Sequence, residues 1–528
     1  METMIYLLPQ IIDHTAERLP DKEAFRCNGA GLTYAGLVRR SNQLARVLSE
    51  HGVRRGDRVG IYLHKSLETA VALYGIMKAG AAYVPLDPLL PAARLASILA
   101  DCGIRCLITQ PAKLPQLNQL IEQAVRLDCL IGLPPASLPL TAIPWSEVET
   151  APGESPSIAG LMGQDMAYLM YTSGSTGAPK GMIHTHASGL AYAQLAAEVY
   201  ELEPQDRLSN FPPLHFDQST FDYFSGPLAG ATTVIIPDEV TRFPASLSQL
   251  MQDEGLTIWY SVPFALIQLL LRGVLEQRDL SRLRWVLFGG EPFPAKHLRA
   301  LMQRWPRARF SNVYGPAEIN QCTFYHVPPL ADTYDEALPI GPLWPNAEGL
   351  VLDEADQSLP PGEVGELVVR TPTMMQGYWN RPDLNARAFY EREGEGGRPD
   401  RFYRTGDLVR LGPDGNYYFL GRKDRQVKAR GYRIELDEVE TAILTHPQIE
   451  ETAVYPVPDA AGTQQIRAAV ILKPGSELST GDLLKHLTAR LPRYALPAQI
   501  EFVPQFPRTS SGKIDRRALQ AEAAGAAG

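Results

Sequence analysis

Basic residues are too few here for a nucleic-acid binder. The 50 Lys and Arg face 59 Asp and Glu, a formal net charge of −9. Affinity through a general phosphate-neutralising surface is therefore excluded; a local positive site for a nucleotide is not. Cysteine is scarce: Cys27, Cys102, Cys106, Cys129 and Cys322 in 528 residues make no disulfide framework. Cys102 and Cys106 have no second pair or histidine with them, which argues against zinc. His184 and His186 alternate on what reads as a strand and, without a third ligand nearby, take a structural role. No apolar window of about 18 residues is free of charge, so no transmembrane helix is expected. The first residues carry Glu2, Asp13 and Glu17 around the short run Ile5 to Leu8, which is not a signal peptide. The cytoplasm is the expected location, with no membrane and no nucleic acid as partners.

What is present is an ordinary globular composition, 45% hydrophobic and 21% charged, in a chain too long for one core. Helix-like and strand-like segments alternate over the first 160 residues or so, and again over 187–330. That alternation predicts α/β architecture with largely parallel sheets covered by helices. Pro134 to Pro156, rich in Pro, Ser and Thr, reads as a surface connector. The portion after Pro361-Gly362 reads as β-rich.

The organising stretch runs Tyr171-Thr172-Ser173-Gly174-Ser175-Thr176-Gly177-Ala178-Pro179-Lys180-Gly181. Apolar runs flank it, so it reads as a loop between two strands. Glycines, hydroxyls and one lysine together suit phosphate oxygens. It is not a Walker loop, which needs Gly-Lys-Ser/Thr opening a helix. The plain alternative is a flexible Gly/Ser loop without a ligand.

This string resembles the phosphate loop of the adenylate-forming enzymes: acyl-CoA ligases, luciferases and the adenylation domains of nonribosomal peptide synthetases. The resemblance covers about 30–520, with further motifs in order. Lys78 to Asp87 resembles a scaffold motif of the amino-acid-activating branch. His215-Phe216-Asp217-Gln218-Ser219-Thr220-Phe221 resembles the segment whose aspartate binds the substrate ammonium; the alternative is a surface Asp after Pro212-Pro213. Asn312-Val313-Tyr314-Gly315-Pro316-Ala317-Glu318 follows what reads as a strand end at Ser311. By resemblance its tyrosine stacks on adenine and Glu318 helps hold Mg²⁺, which wants hard oxygen ligands. Ala317 stands where threonine is common. Asp407, in Tyr403-Arg404-Thr405-Gly406-Asp407-Leu408, matches a ribose ligand, as does Arg422; Phe419 and Asn312 join the nucleotide set.

Gly421 to Lys428 reads as an interdomain linker with Asp424 at the hinge, although a charge run is usually a solvated turn. The implied division is a large N-terminal core, 1–423, of helix-covered mixed and parallel sheets plus a β-rich subdomain, and a small α+β domain, 424–528. Ser511-Gly512-Lys513-Ile514-Asp515-Arg516 resembles the terminal catalytic-lysine motif.

The resemblance implies two steps. ATP and an amino acid form an aminoacyl-adenylate with Lys513, the phosphate loop and Mg²⁺. The small domain then turns about Asp424, and a thiol attacks. No carrier attachment or condensation motif is found, so phosphopantetheine on a separate carrier protein is the expected acceptor, with a small helper protein as a further partner. The pocket carried over is Asp217, Gln218, Phe221, Tyr260, Leu287, Gly289, Val313, Gln321, Cys322 and Lys513. Apart from Asp217 and Lys513 it offers no charge. It suits a small amino acid, L-proline first, although Gln218 and Gln321 could contact a polar side chain. An acyl- or aryl-CoA ligase is the rival reading, and Asp217 argues against it. A non-catalytic nucleotide-binding scaffold is the other; Lys180, Glu318, Asp407 and Lys513 speak against that.

Overall fold

The computed structural model describes residues 4–123, 125–156, 160–172, 179–394, 397–508 and 514–525. The alternating pattern builds two eight-stranded sheets. One runs, in spatial order, Thr323–Val327, Arg309–Tyr314, Trp285–Gly289, Ile258–Ser261, Arg207–Asn210, Thr232–Ile235, Glu23–Cys27 and Ala30–Thr33. Interior pairs are parallel and the pairs at both edges antiparallel. The other runs Gly377–Tyr378, Lys180–Thr185, Met166–Thr172, Ala82–Pro85, Arg58–Ile61, Cys106–Ile108, Cys129–Ile131 and Thr141–Ile143. Central strands such as Trp285–Gly289 are buried at every position, because a parallel strand is covered on both faces.

The helix Leu67–Lys78 lies between the sheets. A capping box of Ser66 and Thr69 starts it, and every residue from Thr69 to Lys78 is buried. Its apolar residues share one core with Phe25 and Ile235 of the first sheet and Val59, Tyr83 and Tyr168 of the second. The buried Lys78 Nζ is held by Asp13 and by Asn42 Oδ1 at 2.7 Å.

Three expectations need correction. The two lobes are not successive segments, because the N-terminal hairpin Glu23–Thr33 belongs to the later sheet. Phe25 pairs with Thr233 and covers the fully buried strand Thr232–Ile235. The connector Pro134–Pro156 carries the edge strand Thr141–Ile143 and a short helix, Trp145–Val148, with Leu138, Ile143 and Val148 buried. His186 opens the helix His186–Val199 rather than continuing the strand; both histidines are buried, as a structural role requires.

The β-rich portion is a five-stranded antiparallel sheet of Glu348–Leu352, Val364–Arg370, Pro399–Leu411, Phe389–Glu393 and Tyr417–Arg422. Asp407 thus sits within a long strand, not in a turn. The smaller C-terminal domain holds the hairpin Gln426–Ala429/Tyr432–Glu435 and a three-stranded sheet of Ile449–Pro458, Gln464–Leu472 and Gln499–Phe502. Arg430 and Gly431 turn the hairpin with φ of 52° and 84°, the left-handed pair that a tight two-residue turn needs. Alternation sorts the sheet's side chains. Val454, Ala468 and Val470 pack with Ala429, Ile434, Val439 and Leu483. Ala453, Tyr455 and Ala469 pack on the other face with Phe506, Ile514 and Leu519. Among the described residues, no helix is long and apolar enough to cross a membrane.

Candidate active site

Two cavities with a shared wall open where the domains meet. The smaller, about 120 Å³, is lined by Asp217, Gln218, Tyr260, Val313, Gly315 and Gln321 among others. The larger, about 710 Å³, lies between the large domain's Leu63–Pro88 and Phe211–Arg272 segments and the small domain's Ala429–Ile434 and Arg493–Ala498.

The strand Arg309–Tyr314 runs three residues beyond its expected end at Ser311 and delivers Val313 to the small cavity. The chain then folds back so tightly at Gly315 that a Cβ would meet Asn320 O at 2.5 Å. On the opposite wall, Asp217 and Gln218 precede the π-helical turn Phe221–Ser225, a distortion frequent at functional sites. Asp217 has no side-chain hydrogen-bond partner among the described residues. Burial raises its carboxyl to about 6, against the pull of Lys428.

Four residues expected in the lining stand behind it. Leu287 and Phe221 are fully buried, and Phe221 packs edge-on against Tyr260. At Gly289 a Cβ would meet Val313 O at 2.1 Å, so that glycine serves strand packing. Cys322 is sealed in the apolar core. Gln321 is 4% exposed, donates from Nε2 to Tyr260 Oη, and has no partner for its Oε1 among the described residues.

In the nucleotide set, Tyr314 Oη donates to Asp407, whose other oxygen accepts from Arg422 Nη1 at 2.6 Å. Arg422 also grips Asp424 through Nε at 2.9 Å and Nη2 at 2.6 Å. Asn312 Nδ2 donates to Pro339 O at 2.8 Å, and Phe419 packs on the main core; neither lines the cavities. Thr172 ends its strand opposite Lys180, in register, and its buried Oγ1 has no partner among the described residues. The loop residues Ser173, Gly174, Ser175, Thr176 and Gly177, and Lys513, lie outside the described residues.

Glu318 is fully buried and heavily bonded. Arg433 Nη1 lies 3.0 Å from each carboxylate oxygen, Tyr378 Oη donates at 2.7 Å, and Lys180 Nζ stands at 3.5 Å. Burial opposes its ionisation, but Arg433 and Lys180 outweigh burial and hold the carboxyl well below its usual range. Lys180 itself is lowered by burial and by Arg433.

Arg433 was not anticipated, nor was Lys428, which lines the small cavity with its ammonium lowered by burial. The expectation of a pocket with no further charge is therefore corrected. Both come from the hairpin of the small domain. Their signal was the charged run up to Lys428 followed by Gly431-Tyr432-Arg433, where a turn glycine separates alternating polar and apolar residues. The hairpin is seated by Gly431 N donating to Glu291 Oε2 at 3.1 Å and by Tyr432, edge-on to Phe216 at 5.5 Å. A buried ion pair, Arg94 with Glu438, ties the domains nearby.

A large α/β domain capped by a smaller one, with charged side chains lining the cavity between them, defines a class of two-domain α/β protein. The chain belongs to the AMP-binding enzymes: that family matches residues 12–379, and its C-terminal domain matches 438–513. A relative from Pseudomonas fluorescens, an L-proline–[L-prolyl-carrier protein] ligase, is 35% identical over 98% of this chain and all of its own length. Gramicidin S synthase 2 from Brevibacillus brevis is 34% identical over 97% of this chain, which spans 11% of that protein. Among solved structures, an NRPS protein with adenylation and PCP domains, bound to a vinylsulfonamide inhibitor, superposes with TM-score 0.80 at 28% identity, covering 97% of this chain and 84% of that one. The amide bond synthetase McbA from Marinactinospora thermotolerans shares the fold, with TM-score 0.83 at 24% identity over 98% and 99% of the two chains.

Proposed function

We propose that this enzyme uses ATP to activate a small amino acid as its aminoacyl-adenylate, then passes the aminoacyl group to the phosphopantetheine thiol of a separate carrier protein. L-proline is the first substrate to test, on the strength of the Pseudomonas fluorescens relative's name. The observation that carries the amino-acid reading is Asp217. It is a carboxylate in a cavity, unpaired by any side-chain hydrogen bond and raised to about 6 by burial. A substrate ammonium would supply the missing counter-charge. A carboxylic acid without an amine would leave it uncompensated, which disfavours a CoA ligase acting on such acids.

In this reading Asp407 and Arg422 hold the ribose, Tyr314 meets the adenine, and Lys180 with the loop before it holds phosphates. Lys513 bridges the carboxylate and the adenylate during the first step. Glu318 is the carboxylate on hand for Mg²⁺, which would neutralise phosphate charge. Its oxygens are taken by Arg433 and Tyr378 in this orientation, so the ion fits only with Arg433 withdrawn. The orientation therefore suits the second step, with the large cavity as the thiol's route. We place the domain boundary at 423/424.

A pyrophosphate-exchange panel of amino acids and simple carboxylic acids tests the reading. Exchange with a small amino acid, followed by acylation of a holo-carrier, is expected. Exchange only with carboxylic acids, or transfer only to coenzyme A, would overturn it.

A further inference from the structure

We propose that His215 accepts the proton of the attacking thiol during thioester formation, an inference that rests on the acyl-transfer reading above. The two cavities share a wall of six residues: His215, Phe216, Gln218, Val262, Gly431 and Tyr494. A thiol arriving through the large cavity meets an acyl group in the small one at that wall. Only His215 and Tyr494 there can take up or release a proton. Burial pushes the Tyr494 hydroxyl far up, so it stays protonated and cannot serve as a base.

His215 has the opposite character. Its side chain is 16% exposed, and its nearest charged partner is Asp87, with Oδ2 3.9 Å from Nε2. That is beyond hydrogen-bond range. Neither ring nitrogen has a hydrogen-bond partner among the described residues. Burial lowers its basicity, Asp87 and Asp238 support the cation, and Lys65 opposes it, so the ring is neutral at neutral pH. The competing charges are already occupied. Lys65 Nζ donates to Asn210 O at 3.0 Å and Phe211 O at 2.8 Å. Asp238 is 2.8 Å from His64 Nδ1. Asp87 is thus the anion left to face an imidazolium at His215.

The step balances without a further reagent. The S–H proton passes to an imidazole nitrogen as sulfur bonds to the acyl carbon. The acyl carbon's bond to the phosphate oxygen breaks, and AMP leaves with the electron pair. The imidazolium, beside Asp87, then returns its proton to solvent.

The test follows both half-reactions of His215→Gln from about pH 5.5 to 9, a span that brackets histidine and thiol ionisation. Pyrophosphate exchange reports the first. Single-turnover transfer from preformed aminoacyl-adenylate to a holo-carrier or to free pantetheine reports the second. Transfer should lose about 10²-fold more than exchange near pH 7. The gap should close towards high pH as the thiol ionises unaided. A uniform fall in both half-reactions, or a transfer profile of unchanged shape, overturns the proposal. If His215→Gln fails to fold, Asp87→Asn decides. The lower limb of its transfer profile should shift to more acidic pH, because the imidazolium loses its anion, and an unmoved limb overturns the proposal. Wild-type enzyme that exchanges pyrophosphate but acylates no thiol would instead defeat the carrier-loading reading itself.

Discussion

A carboxylate held in a cavity by backbone N–H groups, with no side-chain hydrogen bond among the described residues, is unfavourable to the free protein and useful to the complex, and at Asp217 both consequences can be measured. Asp217→Asn should lower kcat/KM for the amino acid roughly 10²-fold, ~3 kcal/mol, as expected when one member of a buried ion pair is lost. Wild-type kcat/KM should fall as pH drops through about 6, where the free carboxyl protonates, and the variant should lack that limb. The stability sign is the reverse of the usual aspartate. The folded-state value lies above the unfolded one, so the cost of the charged form builds as pH rises from the unfolded value to about 6 and is fully present above it. Asp217→Asn should therefore melt higher than wild type at pH 7.5 and no differently near about pH 3, below both ionisations. A variant that melts lower at both pH values would refute the unpaired state. At this scale the sequence was most legible where a residue type has one chemical use. The Asp of His-Phe-Asp-Gln-Ser and the Glu of Tyr-Gly-Pro-Ala-Glu marked places that the fold brings to one junction. It was least legible for Leu287, Gly289 and Cys322, whose small or apolar side chains suit a pocket wall and a core equally.

Among elements, the hairpin Gln426–Glu435 sets the chemistry of the junction. It brings Lys428 and Arg433 to the small cavity, and its turn residue Gly431 lines both cavities. That glycine has φ of +84°, and a Cβ on it would sit 2.6 Å from a Val262 methyl. Gly431→Ala is thus both strained in backbone and blocked in space. Transfer from preformed adenylate should fall at least about 10²-fold, a loss of the size that misplacement by an ångström produces. Pyrophosphate exchange, which in the proposed reading does not use the seated hairpin, should stay within about threefold. Equal losses in the two assays would show that the hairpin acts in both steps. Element types were legible because long periodic helices and buried parallel strands carry their own patterns. The connector Pro134–Pro156 was misread because a three-residue edge strand, Thr141–Ile143, is too short to show a period. The N-terminal hairpin's place was hidden because pairing of Phe25 with Thr233 is set by which sheet edge lies uncovered, not by local sequence.

Over the whole molecule, the small domain packs described residues on both faces of one sheet. The hairpin packs with one face through Ala429 and Ile434. Ile514, next in the chain to Lys513, packs on the other and pairs with Arg508. In the proposed reading the hairpin and Lys513 serve the cavity in different steps, and the domain turns between them. Glu318 bears on the same point, since Arg433 now spans the oxygens that a cation would need. Lys513→Ala should therefore lower adenylate formation by about 10²–10³ while sparing transfer from supplied adenylate, the mirror image of Gly431→Ala. The proposed pivot is the short stretch Lys423–Arg425 between the strands Tyr417–Arg422 and Gln426–Ala429. Lys423 N is anchored to Gly406 O at 2.9 Å, whereas Asp424 is half-exposed and held mainly by Arg422. Proline at 424 fixes φ at the residue with the fewest backbone ties. If the domain must turn there between steps, Asp424→Pro should slow thioester formation more than pyrophosphate exchange. Single-turnover rates of the two half-reactions, measured on the same preparation, decide it: losses equal in both place the pivot elsewhere in the chain.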